Sequence, residues 1–260
     1  VVLPSDLHFD TVLNPEVRYR GIYKQALYLA PIDIRGVFDL PKDADFAENL
    51  EKVHWDQAWI SFGVTGLTSI AETSRLNWGG QEVSSMKPGT NAGDLLGNGF
   101  HCPLSLSGDD QGGRRDFAMN LQVRGSGGIY FTPVGERTLV TMKGNWPAPS
   151  FQGSLLPTRR NIVDQGENKG FTAEWVISNL TRTYPQIGDI TDKSFYRNSQ
   201  SAITGFVAGM ELLEPVSLYR MVGRSVYYGI LFITVSFVAL FAFELICGQR
   251  MHLLQYGMVG

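Results

Sequence analysis

Residues 225–243 read SVYYGILFITVSFVALFAF, a run without a single charge between Arg224 and Glu244. Crossing ~30 Å of hydrocarbon at ~1.5 Å of rise per residue takes roughly 20 mostly apolar residues. The stretch from Tyr227 to Ile246 has that length, and a soluble helix seldom stays apolar around its whole circumference for five turns. The chain therefore reads as a membrane protein whose transmembrane helix covers about 226–246, with the lipid bilayer as one partner.

Outside that run the composition is that of a globular domain. The chain is 43% hydrophobic and 18% charged with a formal net charge of −3, so the apolar excess is local. Residues 1–219 are long enough to enclose a core, and 220–260 hold the span and the start of a following loop or second span. Nucleic acid is excluded as a partner, because 22 Lys and Arg are outnumbered by 25 Asp and Glu and form no basic block. Cys102 and Cys247 lie in the polar part and at the span's end, so no disulfide is expected between them.

Alternation with period two dominates residues 1–219. Ala58, Ile60, Phe62 and Val64 alternate with polar or small neighbours, as do Phe117, Met119, Leu121 and Val123. Ile32, Ile34 and Phe38 repeat the pattern, and so do Phe171, Ala173, Trp175 and Ile177. Further strands are expected over 22–29, 129–132, 138–142 and 203–213. Gly-rich turns at 108–113, 125–128 and 144–149 separate them, which points to a mainly β, antiparallel sandwich followed by the transmembrane helix. Asp45 and Glu48 resemble a capping pair ahead of Phe46, Leu50 and Val53, predicting one short helix over 45–54.

Several constellations invite a chemical reading, and each meets a simpler one. Ser84 and Lys87 have the S-x-x-K spacing of penicillin-recognising enzymes, but S-D-N and K-T-G are missing. Gly125, Ser126, Gly127 and Gly128 lack the G-K-[ST] of a phosphate loop and read as a hairpin turn. Asp109, Asp110 and Asp116 share one loop without the spacing of a calcium site. His54 beside Asp56, and His101 beside Cys102, offer ligand atoms, but neighbours on a strand point to opposite faces. No catalytic set, metal site or cofactor is expected from these residues, and the binding residues stay unidentified.

Glu244 is the intramembrane candidate. A carboxylate within a span is costly unless it reaches the interface, is protonated or finds a partner, and Glu244 lies near the end where the headgroups are close. At ~100° per residue, Gly229, Ser236 and Glu244 fall within an ~80° arc, a small and polar stripe suited to packing on further transmembrane helices. Local charge counting sets Arg220 and Arg224 before the span against Arg250 after it, weakly favouring the domain inside.

Long ordered motifs give a further reading. NPEVRYRGIY at 14–23, AWISFGV at 58–64, NWPAPSFQGSLLP at 145–157, GFTAEW at 170–175 and YPQ at 184–186 are followed by ELLEPVSLYRMVGRSVYYGILF at 211–232 and FELICGQRMHLLQY at 243–256. With these the chain resembles the CreD family of bacterial inner-membrane proteins along nearly its whole length. The resemblance implies a span ahead of Val1, a large periplasmic domain over 1–219, and a cluster of spans of which the one seen is the first. It overrules the charge count on orientation, links the chain to envelope integrity and supplies no catalytic residues. The first expectation is thus a non-enzymatic inner-membrane protein whose periplasmic sandwich binds or senses an unidentified envelope component. Two alternatives stand beside it: an envelope glycan hydrolase using paired carboxylates, with Asp109, Asp116 and Glu136 the most visible acids, and a transporter subunit working through Glu244.

Overall fold

A computed structural model describes residues 1–21, 23–43, 54–73, 75–92, 96–165, 168–189, 203, 205–213 and 218–248. Apart from His54, the short helix expected over 45–54 lies outside these residues. The chain divides into two compact units, Val1–Leu213 and Glu214–Gly260.

The first unit is built from strands. In chain order they are β1 (Asp6–Arg20), β2 (Tyr23–Asp39), β3 (Trp59–Gly63), β4 (Ile70–Thr73), β5 (Leu76–Trp78), β6 (Gln81–Val83), β7 (Lys87–Pro88), β8 (Gly99–Pro103), β9 (Arg114–Ser126), β10 (Gly128–Phe131), β11 (Arg137–Gly144), β12 (Pro149–Gly153), β13 (Arg159–Gln165), β14 (Asn168–Ser178) and β15 (Ala208–Leu212). A nine-stranded sheet runs β13-β14-β11-β1-β2-β9-β5-β6, with β4 also on β9. Two three-stranded sheets, β10-β15-β12 and β3-β8-β7, complete the unit.

The long hairpin β1–β2 is the spine of the large sheet. Gly21, at φ +62, supplies the left-handed backbone at its turn, which opens with Arg20 opposite Tyr23. Pro31 has no N–H for the ladder, and its carbonyl instead accepts the Thr11 hydroxyl at 2.9 Å.

The mainly β, antiparallel sandwich expected from the sequence is the fold observed, with one parallel pair among the described strands: β1 pairs with β11 in parallel while also pairing antiparallel with β2. Alternation reveals which face of a strand is buried but carries no information on its direction. The glycines at 125–128 do not form a hairpin turn, since β9 pairs with β2 whereas β10 pairs with β15 in another sheet. Gly127, at φ +82, instead turns the chain from one sheet to the next, and the Tyr28 hydroxyl fixes the corner by donating to the Gly128 carbonyl at 2.7 Å. Of the strand expected over 203–213, β15 takes only its later part.

One hydrophobic cluster joins all three sheets. Ile32, Leu121 and Val140 from the large sheet share it with Phe100 and Cys102 of β8 and with Phe131 and Met210 of the other small sheet. Ring contacts cross the interface, Phe9 to Phe131 at 5.0 Å and Phe62 to Phe117 at 6.1 Å between centroids. Trp175 is fully buried, and its indole N–H donates to the Leu155 carbonyl at 3.1 Å. The small sheets thus cover one face of the large sheet as the second layer of a sandwich.

The second unit holds helix α1 (Leu218–Cys247), in which an 18-residue stretch of mean hydropathy 2.5 falls within a 23-residue apolar span, Ser225–Cys247. That length gives about 35 Å, enough to cross the hydrocarbon. Gly248, at φ +66, ends the helix by donating its N–H to the Glu244 carbonyl at 3.0 Å.

Candidate functional site

The face of the large sheet turned away from the core carries the polar half of each alternation. Leu7, Thr11 and Leu13 of β1 point inward, which leaves His8, Asp10 and Val12 on the outer face. Residues at 33 and 35 in β2, 120 and 122 in β9, and 141 and 143 in β11 have the same outward parity. The register lines them up across the strands. One row runs Glu174, Thr141, Asp10, Asp33, Asn120. In the next, Thr172, Lys143 and Val12 are neighbours on one side, while Pro31, Gln122 and Glu72 are neighbours on the other.

The middle of these rows lines an open groove of 510 Å³, bounded by Asp10, Val12, Pro31, Asp33, Arg35, Glu72, Asn120, Gln122, Thr141 and Lys143. Its volume is in the range of small-molecule sites. Asp10 and Asp33 are directly opposed across β1 and β2, a pairing of like charges that works against the sheet. Arg35 answers one of them, at 3.7 Å from Asp33. Among the described residues Asp10, Glu72 and Lys143 enter no ion pair, so the groove presents two uncommitted carboxylates and one uncommitted ammonium. Such a lining suits a ligand that offers hydroxyl groups together with charge.

The residues singled out in the sequence fall elsewhere. Ser84 and Lys87 are both exposed, Lys87 in β7 and Ser84 in the loop before it. Asp110 caps a short turn, accepting the Ser107 N–H at 2.8 Å and the Ser107 hydroxyl at 3.2 Å, and it pairs with Arg115. The Ser107 backbone bond and the Arg115 guanidinium together hold its carboxyl below the usual carboxylate value. Asp116 lies on β9 and Glu136 just before β11, three strand spacings or about 14 Å apart in the sheet, beyond the ~5–10 Å of a hydrolase pair. His101 is buried, donating from Nδ1 to the Gly89 carbonyl at 2.6 Å and accepting at Nε2 from Asn91 at 3.1 Å. Cys102 points into the core, where burial pushes its thiol up. Among the described residues no group of three His, Cys, Asp or Glu side chains is placed to hold a metal.

On α1, the Ser236 hydroxyl donates to the Phe232 carbonyl at 2.9 Å and Thr234 to Ile230 at 2.8 Å, so both are satisfied within the helix. A Cβ at Gly229 would meet no atom within 4 Å. Glu244 sits in the last turn, beside the Gly248 cap.

A family model described as "Inner membrane protein CreD" matches residues 1–260. The chain belongs to the CreD family. The inner membrane protein CreD of Escherichia coli (strain K12) is 28% identical over 258 residues, which cover 99% of this chain and 54% of that protein. The chain thus spans about half the length of this curated relative. Family and fold agree on the coarse identity, an inner-membrane protein with a β-rich unit and a helix able to span the bilayer.

Proposed function

We propose that this CreD-family protein holds its β unit in the periplasm and binds a polar envelope component in the groove over the outer sheet face, without catalysing its conversion. The observation that carries the reading is the opposed pair Asp10 and Asp33 beside Lys143 and Arg35 in a 510 Å³ concavity. Like charges placed face to face oppose folding, and a ligand that bridges them returns that energy on binding. Domain boundaries near 219 and a role for the stripe Gly229, Ser236 and Glu244 in docking further transmembrane helices belong to the same reading.

A hydrolase would also use two carboxylates, at ~5–10 Å. Asp10 and Asp33 are directly opposed in the register, but the Asp33 side chain is 47% exposed and Asp10 is also open to solvent. Neither carboxyl sits in the apolar enclosure typical of a glycosidase's acid, which favours binding over cleavage.

Two experiments test the proposal. Leu180 is 90% exposed, and a Leu180→Cys variant labelled in intact cells by a membrane-impermeant maleimide supports the periplasmic location. Labelling only after lysis contradicts it. A photoreactive residue at Asn120 captures an envelope component in living cells, while the same residue at Leu180 does not. Equal capture at both sites removes the groove from the account.

A further inference from the structure

We propose that β13 is a self-pairing edge through which two copies of this chain join their large sheets. Among the described residues β13 pairs only with β14, which leaves its other side as the edge of the nine-stranded sheet. Sheet edges are commonly protected by shortness, proline, bulges or charged side chains, and the charges of β13, Arg159, Arg160 and Asp164, are of both signs and so can pair as well as repel. The opposite edge, β6, is protected by its length of 3 residues. β13 has 7 residues, RRNIVDQ, without proline, and its register with β14 runs unbroken from Arg159 opposite Glu174 to Gln165 opposite Asn168. All of 159–163 is exposed, including Ile162 at 44% and Val163 at 39%.

The sequence of this edge selects a second copy as the occupant. Arg160, Ile162 and Asp164 share one face, being opposite Ala173, Phe171 and Lys169 of β14. Antiparallel pairing of two β13 strands centred on Ile162 places Arg160 opposite Asp164 of the second copy, twice by symmetry, around a central Ile162–Ile162 contact. This is the isologous arrangement of a two-fold dimer. Other registers lose it: centring on Asn161 sets Arg160 against Ile162, and centring on Val163 sets Ile162 against Asp164. In-register parallel pairing stacks Arg159 and Arg160 on their own copies, which like-charge repulsion opposes. The complementarity therefore specifies partner, direction and register together.

Cross-linking of the full chain in membranes, in a Cys247→Ser background, tests this. Directly opposed Cα atoms are ~4.5–5.5 Å apart, within disulfide reach, so Ile162→Cys gives a covalent dimer on mild oxidation. Leu156→Cys, at a position 70% exposed but off the strand, does not. Adding Arg160→Glu to Ile162→Cys lowers the dimer yield at least ~fivefold, and further adding Asp164→Arg restores it. The proposal is overturned if Ile162→Cys cross-links no better than Leu156→Cys, if Arg160→Glu leaves the yield unchanged, or if the double reversal stays as low as the single one.

Discussion

Replacing Asp10 by Asn removes one of two carboxylates that the register sets face to face, and the expected effect on the fold is a gain. Asp10 is opposite Asp33, and residues so paired have Cβ atoms ~4.5–5.5 Å apart. Two unit charges ~5 Å apart in water repel by about 0.8 kcal/mol, and the nearby Arg35 and Lys143 offset part of this for the wild type. A stabilisation of about 0.3–0.8 kcal/mol follows, or ~1–3 °C in the melting temperature of a unit of roughly 200 residues. Asn keeps the shape and hydrogen-bonding capacity of Asp, so lost packing does not obscure the sign. The assay is thermal unfolding of the full chain in detergent, followed by tryptophan fluorescence, since Trp175 is fully buried in the same sheet. Because both carboxylates are open to water, raising the salt from 0.1 to 1 M shrinks the screening length from ~10 to ~3 Å and removes most of the gain. A loss of stability in Asp10→Asn, or a gain that persists at high salt, would refute the reasoning, because Asp10 would then hold the fold together instead of opposing it.

Trp175→Ala leaves a cavity against Phe151, at 5.8 Å between ring centroids, and should cost roughly 3–5 kcal/mol in denaturant unfolding. Asp110→Ala should destabilise the protein at neutral pH: a carboxyl held below its usual value of 3.8 contributes fully above that pH and loses its contribution as the pH falls through its lower folded value. The difference between wild type and Asp110→Ala in pH-dependent melting therefore narrows towards strong acid, and a difference that widens there contradicts the capping role. Gly229→Leu should lower the thermal stability of the membrane part of the full-length protein by on the order of 1 kcal/mol, while Val238→Leu, on the opposite face of the helix, leaves it unchanged. Equal effects at both positions remove the docking stripe.

The legible parts of the fold were those in which one physical signal acted alone. An uncharged run of span length has few alternatives, and α1 covers it. The strict alternation in β9 and β14 was equally plain, because each buries one face against the small sheets. β1 was missed because its alternation breaks at Thr11, a buried polar residue, and Val12, an exposed apolar one, and Pro15 interrupts the rest. Pro31 likewise divided β2 into two apparent segments. The groove was illegible for a related reason: Asp10, Asp33, Asn120 and Lys143 become neighbours only through the register, which a single sequence does not encode in any local pattern. The one available signal was parity, charged or amide residues recurring at the outward positions of otherwise buried strands. Acids close together in the chain, Asp109, Asp110 and Asp116, drew attention instead, although a turn and an ion pair account for Asp110.

The claim that the outer face is a binding site is tested most directly by native mass spectrometry of the full chain released from membranes in gentle detergent. The account predicts a bound envelope component of defined mass on the wild type, lost from Asp33→Asn and from Lys143→Gln while both variants remain folded. The same adduct on all three proteins, or none on the wild type, would contradict it.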